Sequence, residues 1–113
     1  EADIDYICDK LLNLRIFKDS DDKINLSVKD IGGELLIISQ FTLYGDARKG
    51  RRPSFTQSAA HTDAVELYEK VLDKMRENYK SEMIKTGVFR EYMRVSIVND
   101  GPTTILLDSK RGF

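Results

Sequence analysis

Glu34-Leu35-Leu36-Ile37-Ile38-Ser39-Gln40-Phe41-Thr42-Leu43 decides how the chain is read. Its continuous apolar character is that of a strand buried on both faces, which predicts the centre of a sheet. Asp30-Ile31-Gly32-Gly33 breaks the pattern before it. After it, Tyr44 to Ala60 combines glycines, a proline and small polar residues with no sustained period, so a long functional loop is expected there.

Outward from this strand, the clearest periodicity is Ala64, Val65, Leu67, Tyr68, Val71, Leu72, Met75 and Tyr79, one face of a helix. Thr62 is its expected N-cap and Glu66–Lys70 an i,i+4 pair on its polar side. Its Met and Tyr residues have the spacing that packing on a sheet requires and are assigned to the core. Ile4, Ile7, Cys8, Leu11 and Leu12 mark a second amphipathic helix, capped by Asp3, ending near Asn13 and burying Cys8. Leu14–Lys18 and Ile24–Val28 flank Asp19-Ser20-Asp21-Asp22 as a hairpin. Beyond a short segment at Lys80–Gly87, Tyr92–Val98 alternates like a strand and Thr103–Leu107 is β-prone, with Asn99-Asp100-Gly101-Pro102 as the turn between them. Strands interleaved with two main helices predict an α/β layered domain with a mixed or barrel-like sheet. The 113 residues fit one domain, spanning 1–113.

Composition excludes several functions. No apolar run approaches the roughly 20 residues of a membrane-spanning helix. The N-terminus has no basic segment followed by an apolar stretch, which fits a cytoplasmic protein. Cys8 is the single cysteine and His61 the single histidine, so no intrachain disulfide forms, and neither a structural zinc nor a cofactor is implied. Charge is unevenly placed. Ala47–Thr62 holds Arg48, Lys49, Arg51 and Arg52 without an acidic residue, leaving the rest of the chain at −5 for a total of −1. A basic island on an acidic protein offers one docking point to a phosphate-bearing partner; its alternative is a solvated loop.

Enzymatic chemistry is harder to place from residue types alone. His61, expected in a solvent-exposed loop, is the sole imidazole for a triad, and Ser39 lacks the Gly-x-Ser-x-Gly frame of a nucleophile elbow. Gly45-Asp46-Ala47-Arg48-Lys49-Gly50 has the glycine spacing of a phosphate loop, but Arg51-Arg52 replaces the required Lys-Ser/Thr. Gly101-Pro102 can be an ordinary turn or a cis peptide.

Two segments, taken together, bear on these alternatives. Ser39-Gln40-Phe41-Thr42-Leu43 and Asn99-Asp100-Gly101-Pro102-Thr103-Thr104 resemble the paired signature motifs of D-aminoacyl-tRNA deacylases, in the family's order and separation. Leu12–Phe17 and Lys49–Phe55 extend the resemblance over essentially the whole chain. It implies an enzyme that hydrolyses the ester of D-aminoacyl-tRNA, and of mischarged glycyl-tRNA, as a homodimer with a cross-subunit active site. Gly101 and Pro102 would form a cis-peptide filter whose carbonyls gather the α-amino group and leave no room for an L side chain, with Asn99 and Thr104 in the same motif. Ser39, Gln40, Phe41 and Thr42 would line the pocket at the ester, Phe41 positioning the terminal adenosine. Arg48, Lys49, Arg51 and Arg52 would contact the tRNA.

A threonine at position 42 has been read as a nucleophile in this family. Thr42 has no identifiable base, whereas the substrate's ribose 2′-hydroxyl adjoins the ester, so substrate-assisted hydrolysis with a backbone oxyanion hole fits better. Two departures stand out: Thr103 where the family commonly has an apolar residue, and a start at the first helix, about thirty residues into the family pattern. A non-catalytic tRNA-binding or editing-accessory module is the alternative reading; a purely structural dimerisation domain leaves the double motif unexplained.

Overall fold

Ile4, Cys8 and Leu12 stand four residues apart, so on a helix they form one stripe, and that stripe is the centre of the core. In the computed structural model, which describes all 113 residues, they lie on α1 (Ala2–Asn13). They pack with Val28, Leu72, Met75 and Ile84. Leu72 and Met75 come from the long helix (His61–Asn78), here α3, which crosses α1. The Cys8 thiol donates to the Val71 carbonyl at 3.7 Å, and burial raises its pKa, so it is a core thiol as expected. Lys74 meets Asp5 at 3.1 Å on the rim of the same helix pair.

Both helices begin earlier than their best capping residues. The caps are Glu1 and Ala60, neither using a side chain, so Asp3 and Thr62 fall inside the first turns. The acidic side chains Asp3, Asp5 and Asp63 still favour the positive ends of the helices there. The predicted pair Glu66–Lys70 forms at 3.5 Å.

Between the two helices, β1 (Phe17–Lys18) and β2 (Ile24–Leu26) form the antiparallel hairpin. Its turn is held by the Asp19 carboxylate, which accepts from the backbone N–H groups of Asp21 and Lys23. The second arm ends earlier than its composition suggests. Ser27 and Asp30 make a reciprocal capping box that opens a four-residue helix, α2 (Val28–Ile31). Gly32 closes it with φ 65°, a conformation that glycine adopts without penalty.

The decisive stretch is shorter and more exposed than its composition predicts. Strand β3 covers Leu35–Ile37 and pairs in parallel with β4 (Ile84–Thr86), aligning Leu35 with Ile84 and Ile37 with Thr86. Helix α3 lies on the connection between them, the usual route between parallel neighbours. Leu36 is 58% exposed, because only one face of β3 meets the helices. Two tyrosines lock the helix to this strand and its approach: the Tyr68 hydroxyl donates to the Ile37 carbonyl and that of Tyr79 to the Gly33 carbonyl, both at 2.8 Å. Phe41–Tyr44 turns into a 3-10 helix instead of continuing the strand.

The α/β reading stands, with the strands divided between two two-stranded sheets. The expected strands at Tyr92–Val98 and Thr103–Leu107 do not form. No residue there pairs in a sheet, and no backbone–backbone hydrogen bond is made between Tyr92 and Leu107. Strand propensity is realised only against a neighbouring strand, and here none is in reach. Tyr92 is accordingly 90% and Val98 95% exposed. No helix is long and apolar enough to cross a membrane.

Candidate active site

At the end of β3 the backbone leaves the sheet, and this exit creates the site. Ser39, Gln40 and Phe41 follow the strand after Ile38 and line a cavity of about 670 Å³. Its other walls come from α3, through His61, Leu67 and Tyr68, and from the segment after β4, through Phe89, Tyr92 and Met93. Pockets of roughly 300–1,000 Å³ are the size that encloses small organic ligands. The lining is mainly apolar and aromatic. Phe89 sits between His61 and Tyr68, each ring centroid 5.5 Å from its own, and Phe41 packs edge-on against Phe55 at 5.1 Å. Burial raises the Tyr68 pKa, keeping its phenol in the neutral, donating form.

The start of the 3-10 turn leaves donors free. The N–H groups of Phe41 and Thr42 have no backbone acceptor, whereas those of Leu43 and Gly45 bond to the carbonyls of Gln40 and Thr42. Adjacent N–H groups without a backbone acceptor are the kind of donor that an oxyanion hole uses. Ser39 and His61 share the cavity but no hydrogen bond joins them, so a serine–histidine nucleophile pair is not assembled.

Three of the five residues in the first motif line this cavity; Thr42 and Leu43 are exposed and lie outside the lining. The second motif is elsewhere. Asn99, Gly101, Pro102 and Thr104 are all exposed and none lines the cavity. The Gly101–Pro102 peptide is cis, and Gly101 has φ 134°, a region closed to most side chains.

In the basic loop the four cations divide. Arg48 is engaged by Asp46 through two hydrogen bonds of 2.9 and 2.7 Å, which lower the pKa of Asp46 and raise that of Arg48. Asp46 also exchanges backbone hydrogen bonds with Ser54, closing the loop at its base. Lys49, Arg51 and Arg52 are exposed and form no ion pair. Sequence reasoning weighed His61 only as a triad imidazole and overlooked Tyr68, Phe89 and Met93 as cavity residues. It set His61 in a loop, whereas it begins α3, and it assigned Tyr68 wholly to the core. No local pattern unites the four, because they meet only when α3 and the segment after β4 pack together.

The fold and site thus define an α/β domain carrying an aromatic-walled cavity large enough for a small organic ligand, with Ser39, Gln40 and Phe41 in its lining. The family profile described as D-Tyr-tRNA(Tyr) deacylase matches residues 1–108, and the chain belongs to this family. Among curated relatives, the D-aminoacyl-tRNA deacylase of Natranaerobius thermophilus is 58% identical over the whole chain, which spans 75% of that protein. That of Clostridioides difficile is 55% identical over 99% of the chain and 74% of its own length. A solved structure described as a c-Myc DNA Unwinding Element Binding Protein superposes with a TM-score of 0.84 at 41% identity, covering 90% of this chain and 68% of that one.

Proposed function

We propose that the protein hydrolyses the ester of D-aminoacyl-tRNA and of mischarged glycyl-tRNA, releasing the free amino acid and the tRNA. Membership of the deacylase family, together with Ser39, Gln40 and Phe41 converging on one aromatic cavity, is the observation that carries this reading. The terminal adenosine packs among Phe41, Phe89 and Tyr68. This presents the ester carbonyl to the free N–H groups of Phe41 and Thr42, which stabilise the developing oxyanion. The ribose 2′-hydroxyl assists water attack on the carbonyl carbon, and the 3′-oxygen leaves to become the tRNA's terminal hydroxyl. An aminoacyl ester is already activated, so orientation and oxyanion stabilisation supply much of the acceleration.

Handedness is read by the carbonyls of the cis Gly101–Pro102 peptide, which bind the α-amino group and exclude an L side chain. Within one chain this dipeptide stands outside the cavity, an arrangement that supports its entering the partner's cavity in a homodimer. The exposed apolar side chains of Tyr92, Ile97 and Val98 are compatible with burial in such an assembly.

Matched D- and L-aminoacyl-tRNA, incubated with the protein while ester loss is followed, test the proposal. Rapid loss of the D form alone is expected. Equal acceleration for the two enantiomers would overturn the D-selective reading, and loss of neither above the uncatalysed rate would favour a non-catalytic tRNA-binding module.

A further inference from the structure

Hydrolysis by oriented backbone donors needs no cation in the cavity, yet Arg90 lines it. Its position is unusual for an arginine. Val88–Glu91 form a turn closed by the Glu91 N–H to the Val88 carbonyl at 3.2 Å, and Arg90, the third residue, has φ 67°. This is the signature of a type II turn, whose third position ordinarily takes glycine or asparagine. A large side chain held against its backbone preference beside a binding cavity points to a use for that side chain. The Arg90 guanidinium forms no ion pair, although Glu91 is its neighbour in sequence.

The charged or chargeable groups around it constrain what it binds. The other such lining residues, apart from tyrosines, are His61 and Glu91. His61 opens α3, whose N-terminus has no side-chain cap and so presents free N–H groups and the positive end of the helix dipole. Arg90 and the positive end of the helix attract a phosphate oxygen. Phe89, which joins His61 and Tyr68 in the aromatic wall, precedes Arg90 in the turn, and both residues line the cavity.

Building on the terminal-nucleoside reading above, we propose that the cavity binds this nucleoside together with its 5′-phosphate, the link to the preceding nucleotide, and that Arg90 is the phosphate-binding residue. Glu91 opposes the phosphate and moderates its affinity. Arg90 therefore contributes to recognising a nucleic-acid end rather than a free nucleoside.

Titration of the protein with adenosine and with 5′-AMP, followed by calorimetry or by NMR shifts of cavity residues, tests this. AMP is expected to bind at least about fivefold more tightly. Arg90→Gly, which suits a φ of 67° and so preserves the turn, should abolish that margin, Arg90→Lys should keep part of it, and Glu91→Gln should widen it. Equal affinities for adenosine and AMP in the unmodified protein would overturn the phosphate assignment while leaving the nucleoside reading intact. Binding of neither would overturn both. A margin that survives Arg90→Gly would remove Arg90 from the site.

Discussion

Thr42 shows how a residue's place can differ from its motif. It belongs to the segment that forms the cavity, yet its side chain is outside the lining, and its backbone N–H is the group free to act. Thr42→Ala is accordingly expected to keep D-aminoacyl-tRNA hydrolysis within about tenfold of the unmodified rate, since only the N–H is needed and alanine retains it. Single-turnover kinetics check this, and a loss of several orders of magnitude would restore the hydroxyl as nucleophile. Asp30 acts through a similarly local arrangement. Its carboxylate accepts the Ser27 N–H at 2.9 Å, which holds its pKa below the ordinary 3.8. A carboxylate depressed in the folded state contributes stability above its unfolded value, and that contribution disappears as pH falls through the lower folded value. Asp19 and Asp46 shift in the same direction, through backbone N–H groups and through Arg48 respectively. Denaturation midpoints should therefore fall below pH 3.8, and Asp30→Asn, which keeps an acceptor but does not titrate, should flatten that acid limb. An unchanged limb in this variant would remove Asp30 from the account.

Packing of α1 on α3 dominates at the scale of elements. Met75 of α3 is fully buried in one core cluster with Cys8 and Leu12 of α1. Truncating such a side chain removes its transfer free energy and leaves a cavity, so Met75→Ala should cost about 2–5 kcal/mol in urea or thermal unfolding. A cost below about 1 kcal/mol would show that the helix interface collapses around the gap. These two helices were legible in the sequence because a 3.6-residue period records, within one segment, which side will be buried. Their first residues were not, since Ala60 and Glu1 serve as caps without a side-chain signal. The strands were less legible for a different reason. Leu35–Ile37 became a strand through Ile84–Thr86, more than forty residues away, while the equally β-prone Tyr92–Val98 found no partner.

Across the whole molecule, the proposed recognition of tRNA is divided between charge and shape. Arg48 is committed to Asp46, so Lys49, Arg51 and Arg52 are the loop cations available to a phosphate backbone. Replacing Arg51 and Arg52 by alanine should weaken tRNA binding and reduce the slope of log affinity against log salt by about 1.4, near 0.7 per lost contact on single-stranded segments. An unchanged slope would mark the loop as solvated only. Arg48→Ala should instead loosen the loop with a smaller change in slope. The C-terminal turn is also tied back: Arg111 lies over the Tyr6 ring at 4.7 Å, and Asp108 accepts from the backbone of Lys110 and Gly112. By itself, the sequence determined the two helices, the hairpin, the α/β class, the burial of Cys8 and the paired motifs that led to the family. All of these are written in local spacing or in contiguous residues. Tertiary structure alone decided that β3 is short and half-exposed, that His61, Tyr68 and Phe89 wall one cavity, that Asp46 claims Arg48, and that Gly101–Pro102 stands apart from Ser39–Phe41 within one chain. Those outcomes depend on contacts between distant segments, and a contact's existence is settled by how helices and strands pack, not by the propensity of either segment.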